Sequence, residues 1–498
     1  MSEKHRGPVP NVALYNLRDA RAETQEQTAA ALNALAARRG ETTAITGNQI
    51  SRWERGVVHP SRLHCQLLAE HFAVTIADLG LARQRIVPPG HPAHIIGPPA
   101  DLLVIENEAQ SMTDPSVSES QQEWLHIRRS LNARHLRLAQ TAALLYPEAI
   151  RLGDTGILAR PDWTWKEPID LANVHLTLSP EPTAVAIDGT EDFTSHVRPL
   201  RAPGQRYRRY SQAMRDVAQP RLFENRSSWR LLDVALTSEG GTLRFGDMNY
   251  FDAMDTCEAI AHETAATHLI NDGEVAAPTW RGLRFRKAIG DPLDLHRRRV
   301  IMSINTLTIR RDRSAASVVL HNRSAANVAT SGGVIGVMPA GVFQPSTVRA
   351  EDHTPDFDLW RNIMREYSEE YLGNPEHDGD GARADYDAEP FRSLDTARRD
   401  GRIRVFGLGI GIGALDLWAG LETVAIFEAD AFDSIFAGLV HINDEGSVLR
   451  VGRAQPTVHV PFTSQVIDEL WATGRLAPET SFSLRAAWQH RDQLLSPT

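Results

Sequence analysis

The sequence predicts a multidomain chain, with an all-α head of five short helices followed by a larger α+β body. Three observations predict it. At 498 residues the chain exceeds what one hydrophobic core usually organises, so two to four domains are expected. Residues 12–83 carry repeated helix-start signals, with apolar residues at helical spacing between them. From about Leu171 the texture turns strand-like, as in Asn173–Pro180 and Trp229–Thr237.

Composition narrows the class. Apolar residues make up 42% and charged residues 23%, as in soluble globular proteins rather than disordered or membrane chains. The net charge is −10, so the molecule is no polycation. Residues 1–90 hold 11 Arg and Lys against 8 Asp and Glu, a surplus of three, which leaves −13 on the remainder. That asymmetry suits a small head that meets a polyanion on an acidic body. Lysine occurs only at 4, 166 and 287, an arginine bias expected from a GC-rich genome. Cys65 and Cys257 are the only cysteines, so no disulfide framework is predicted and a reducing cytoplasm is expected. The first ten residues lack the apolar core of a signal peptide, and Val405–Leu415 is too short to span a bilayer. No membrane association is expected.

The head is read from its caps. Thr24 followed by Gln27 is a capping-box pattern, predicting a helix to about Arg38 with Gly40 as its stop. Thr46 and Gln49 repeat the pattern for a short helix ending by Gly56. Pro60 and Ser61 open a helix with Leu63, Leu67, Leu68 and Phe72 on one face, and residues 75–81 read as a fifth helix. Residues 84–122 are rich in Pro, Gly and Ser and read as a linker, and 123–150 as a linker or dimerisation helix.

The body divides into an α+β middle region, 170–300, and a C-terminal region, 301–490. Helices are expected over 250–269, over 356–372 and from Asp468, with strands over 306–343 and 402–428. Gly407, Gly409, Gly411 and Gly413 recur every second residue, predicting a strand with one bare face against which something packs closely. Glu366, Glu369 and Glu370 are spaced i, i+3 and i+4, so an α-helix would put them on one face, where Mg²⁺ or Arg365 would relieve their repulsion. Arg206–Arg209 with Tyr207 and Tyr210 form a basic-aromatic segment, either a phosphate contact or a solvated loop. His262, Glu263 and His268 do not have zincin spacing.

The stretch TGNQISRWERGVVHPS followed by LLAEHFAVTIADLGL resembles the Cro/repressor-type (XRE) helix-turn-helix family over residues 12–83. The resemblance implies a transcription regulator that binds a double-stranded DNA operator as a homodimer. It implies core roles for Ile50 and Trp53, places Asn48, Gln49 and Arg52 at the major groove, and places Gln25 and Thr46 at phosphates. The connection Arg38–Ile45 is longer than the family's tight turn.

The segment from Trp360 to Gly373 resembles the Nudix box, whose core is Arg-Glu, two residues, Glu-Glu. It implies a Nudix-like α/β/α sandwich over 301–490, with Mg²⁺ held by Glu366, Glu369 and Glu370 and a nucleotide-like ligand. The pattern departs from the family at several points. Ala340 replaces a turn glycine, about ten extra residues precede the helix, the early acid falls on Phe357 beside Asp356 and Asp358, and Gly373 is one residue late. These departures favour a body that senses a ligand or partner. The alternatives are a Mg²⁺-dependent hydrolase of nucleoside diphosphate derivatives with a DNA-binding head, and a pure interaction protein.

Overall fold

The computed structural model describes residues 11–21, 23–39, 43, 45–54, 60–72, 74, 79, 114–179, 184–220, 223–270, 274–313, 315–323, 334–347, 354–374, 383–439, 446–449 and 459–496. The chain forms two compact units, 1–106 and 107–498.

The first unit contains helices α1 (Val12–Ala20), α2 (Gln25–Arg38), α3 (Gly47–Glu54) and α4 (Arg62–Phe72). Each start is fixed by a local side chain. Asn11 Oδ1 accepts from Leu14 N, and Ser61 Oγ accepts from His64 N. Thr24 and Gln27 close the reciprocal box, with Oγ1 accepting from Gln27 N at 3.1 Å and Gln27 Oε1 from Thr24 N at 2.7 Å. Ala29, Leu32 and Ala36 of α2, Ile50 and Trp53 of α3, and Leu67, Leu68 and Phe72 of α4 meet in one core. Burying each of the Leu, Ile and Phe side chains among them stabilises the head by roughly 1.5–3 kcal/mol. The fifth helix expected at 75–81 lies outside the described residues except for Leu79, which is buried.

The second unit is α+β. Its helical start is Pro115–Ala133 followed by His135–Ala143. Asp114 caps the first helix and Pro115 occupies its first turn, so it begins earlier than Trp124. Its apolar stripe is spent inside the body. Trp124, Leu131 and Leu138 are buried, and Trp124 Nε1 donates to Val197 O at 3.0 Å.

The strands are β1 (Ile157–Leu158), β2 (Thr164–Asp170), β3 (Val174–Leu178), β4 (Leu200–Ala202), β5 (Gln205–Arg206), β6 (Ser227–Thr237), β7 (Gly240–Asn249), β8 (Met302–Arg311), β9 (Ala316–Val318), β10 (Leu320–Arg323), β11 (Ile335–Val337), β12 (Ala340–Val342), β13 (Ile403–Gly413), β14 (Ala419–Glu428), β15 (Gly446–Val448) and β16 (Val460–Pro461). The main sheet is mixed and eight-stranded. β13, β14 and β8 form its centre, with β1 and β2 along β13, β9 and β12 along β8, and β16 on β9. β14 runs parallel to β8 and antiparallel to β13. Smaller sheets are β3-β7-β6, β11-β10-β15 and the β4–β5 pair.

Side chains alternate across the main sheet. Leu421, Ala425 and Phe427 of β14 share a core with Trp360, Ile363 and Tyr367. Val424 and Ile426 share the other core with Leu484, Ala487 and Leu494. Helical segment 359–371 and helix Pro478–Gln489 therefore cover opposite faces. The glycines of β13 are places of close approach. A Cβ on Gly407 would lie 2.7 Å from the Trp165 ring, and one on Gly411 would lie 2.2 Å from Ile157 Cγ2. One buried cluster extends from Trp124 to Val448, so regions 170–300 and 301–490 share a core. Among the described residues no helix is long and apolar enough to cross a membrane.

Candidate functional site

In the head, α3 is held at both ends. Thr46 N donates to Gln49 Oε1 at 3.0 Å, and Gln49 N to Thr46 Oγ1 at 3.3 Å, a second capping box. Both residues are exposed. At the other end the buried carboxylate of Glu54 accepts from Arg18 Nε at 2.5 Å and from Gln25 Nε2 at 2.7 Å. Gln25 thus ties the start of α2 to the end of α3, which leaves its second amide hydrogen for another acceptor. Asn48 and Arg52 lie on α3, but their side chains lie outside the described residues.

The long α2–α3 connection has its own anchor. Asn33 Nδ2 donates to Ile45 O, while its Oδ1 accepts from Ile45 N and from Thr43 Oγ1, each at 2.8 Å. Glu23 accepts from Thr28 Oγ1 and lies 2.8 Å from His71 Nε2. Burial works to raise the Glu23 pKa, but His71 and Thr28 outweigh it and hold the carboxyl below its ordinary range.

In the body, the acids begin in an α-helix, Leu359–Glu366, that continues as a π-helical turn over Tyr367–Tyr371. The i→i+5 bonding of that turn changes the angular spacing on which a shared α-helical face depends. The Glu366 carboxylate lies where a Cβ on Gly341 would stand, and Glu370 Oε1 accepts from Ala340 N at 3.0 Å. Glu369 is half-buried. Among the described residues, no three His, Cys, Asp or Glu side chains gather closely enough to hold a metal ion.

Arg365 has partners instead. It donates to Tyr386 OH and Gln344 O, each at 2.6 Å, and lies 3.5 Å from Asp356. Asp356 is fully buried and also accepts from Ser346 N, Ser346 Oγ and Tyr386 OH. Burial raises its pKa, but Arg365, Ser346 and Tyr386 outweigh this and hold it below the ordinary carboxylate range. The acid beside the helix arginine is thus Asp356. Phe357 packs on Trp229, and Asp358 caps the helix by accepting from Arg361 N. Beyond the helix, Asn374, Glu389, Ser393 and Ser434 line an open cavity of about 370 Å³ with Leu372, Pro390 and Ile435.

Other buried polar groups have structural partners. Glu258 takes Arg128 at 2.8 Å, and Arg128 also donates to Tyr210 OH at 2.7 Å. Glu263 receives Phe285 N and Arg286 N and contacts His196. His268 accepts from Thr279 N. The sequence reading missed Glu422 of β14, which accepts from Asn305 Nδ2 at 2.9 Å and Ser483 Oγ at 3.1 Å. Burial, then the nearby Glu479, push its carboxyl up to about 8. Its signal was a lone acid in the apolar run Ala419–Phe427.

Residues 14–82 match the family model of the SP15 N-terminal domain. The match spans the described head helices apart from the first two residues of α1 and includes none of the body. No curated protein matches the chain significantly.

Proposed function

We propose that this chain is a sequence-specific DNA-binding transcription regulator of the Cro/repressor type, acting as a cytoplasmic homodimer whose body senses a small ligand or a protein partner. The observation that carries it is α3, a short helix anchored inward by Ile50 and Trp53, with exposed Thr46 and Gln49 at its capped start. A helix N-terminus suits phosphate, and Asn, Gln and Arg on the same helix suit base edges. The body is read as Nudix-like because helical layers cover both faces of a mixed sheet and the acid-bearing helix meets Ala340–Gly341. The cavity beside Leu372 offers a polar rim for a small ligand.

The test is retention of genomic fragments by the full chain at low salt, followed by Arg52→Ala. Loss of about 1–3 kcal/mol at the selected fragment, with one base preference relaxed, is the expected result. Failure to retain any fragment overturns the reading. A second reading, a Mg²⁺-dependent diphosphate hydrolase, is favoured only by the approach of Glu366 and Glu370 to β12.

A further inference from the structure

Residues 198–215, which include the β4–β5 pair, hold six arginines and no acidic residue or lysine. The aromatic members of this segment turn inward. Tyr207 is 7% exposed and Tyr210 fully buried, so neither ring offers a stacking surface. Arg209 is spent on Asp188 and Asp255, and Arg215 on Asp216. Arg201, Arg206 and Arg208 remain exposed. The guanidiniums of Arg201 and Arg208 make no hydrogen bond or ion pair among the described residues.

The segment is braced from within and from behind. Arg206 Nη1 donates to Arg198 O, and the buried Arg198 guanidinium donates to Arg208 O. Helix Pro115–Ala133 holds the first strand, with Ser120 Oγ accepting from Leu200 N at 3.0 Å and Gln121 Nε2 donating to Leu200 O at 2.9 Å. The guanidiniums therefore project from an ordered backbone.

We propose that the β4–β5 hairpin is a second, sequence-independent contact to the DNA phosphate backbone, made by Arg201, Arg206 and Arg208. The proposal rests on the reading of the head as DNA-binding. Guanidinium forks match phosphate oxygens, and with the tyrosines buried there is no platform for unstacked bases. The rest of the chain outside residues 1–90 is net acidic, so a local positive surface is what lets the body approach a polyanion. An anionic lipid surface is the weaker fit. Membrane binding adds apolar insertion to charge, and the hairpin tip Pro203–Gly204 carries no large apolar side chain.

The experiment titrates the full chain with a random-sequence duplex, and with a fragment the wild type selects, across a salt series. Arg201→Ala/Arg208→Ala should flatten the slope of log affinity against log salt by roughly 1.8, about 0.9 per lost phosphate contact. Both duplexes should weaken by the same factor. Arg201→Lys/Arg208→Lys keeps the charges and should keep the slope, which separates charge from hairpin folding. If the wild type binds but the alanine variant keeps its slope, the hairpin proposal is overturned and the head reading stands. If the wild type binds no duplex, both fall. Hairpin-dependent binding to phosphatidylserine vesicles, with the DNA slope unchanged, would make lipid the partner and overturn the proposal.

Discussion

Asn33 closes both backbone groups of Ile45: its amide donates to the Ile45 carbonyl and its oxygen accepts from the Ile45 N–H. One side chain, twelve positions earlier in the sequence, thus does the work of a turn on the chain entering α3. Ile45 is itself buried, so water is poorly placed to replace the bonds. Asn33→Leu should destabilise the head by about 2–6 kcal/mol, because two buried backbone groups lose partners at about 1–3 kcal/mol each. Amide exchange in the full chain checks it. Protection in α2 and α3 should fall, while protection in β14 should not change.

Gln49 is asked to do two things. Its Oε1 completes the α3 cap, whereas bidentate recognition of adenine needs both its oxygen and its nitrogen. Gln49→Glu keeps the cap acceptor and adds an acid where a helix dipole favours one. Stability should hold or rise by a few tenths of a kcal/mol, while DNA affinity should fall at least tenfold from repulsion by phosphate. Thr46→Ala should instead cost about 1 kcal/mol of stability through the lost cap. Thermal melts beside binding isotherms separate the two variants. Equal affinity of Gln49→Glu and wild type would remove Gln49 from the DNA-facing surface.

Both capping boxes were legible because a box is a local rule, readable from residues three apart. The strands at β3 and β6 were legible for the same reason, since alternation needs no knowledge of partners. What depended on distant contacts was not legible. Asn33 looked like one more polar residue on α2, and nothing near it announced Ile45. Trp124 read as part of a linker or dimer helix, because its acceptor Val197 lies 73 positions away. Glu366, Glu369 and Glu370 were projected onto one face by assuming α-helical spacing, which the turn at Tyr367–Tyr371 alters. Asp356 lies one residue from the position of the expected acid, and its burial against Arg365 was not readable from neighbouring residues.

Glu422 makes stability depend on pH in a direction opposite to most carboxylates. In the unfolded chain it ionises near 4.5, and in the fold near 8. Between those values the folded state holds the extra proton, so stability falls as pH rises, by about 1.4 kcal/mol per unit for this one group. The loss levels off above the folded value, and below the unfolded value there is no contribution to the slope. Glu479, Asn305 and Ser483 face the carboxyl, and none supplies a compensating cation. Glu422→Gln should unfold at higher urea than wild type at pH 8 and show a flatter profile from pH 5 to 8. Parallel profiles would mean that Glu422 is ionised in the fold.

The acid-bearing helix divides a sensing body from a hydrolysing one. Hydrolysis would require Glu366, Glu369 and Glu370 to converge on Mg²⁺, but Glu370 gives one oxygen to Ala340 N and no such trio gathers among the described residues. Asp356 is held by Arg365, Ser346 and Tyr386. With Phe357 where the box has its early acid and about ten extra residues before the helix, the expected outcome is no appreciable Mg²⁺-dependent turnover of ADP-ribose or related dinucleotides by wild type. Glu370→Ala should cost about 1–3 kcal/mol by stranding the Ala340 N–H, whereas Glu370→Gln retains an acceptor and should cost less. Glu369→Gln, half-buried at the turn, should leave stability nearly unchanged and separates structure from chemistry. Rapid phosphate release by wild type, abolished in Glu369→Gln at unchanged stability, would falsify the sensing body and establish the hydrolase. A shift in ligand-dependent DNA release with no turnover in either protein would place the helix in the sensing pathway.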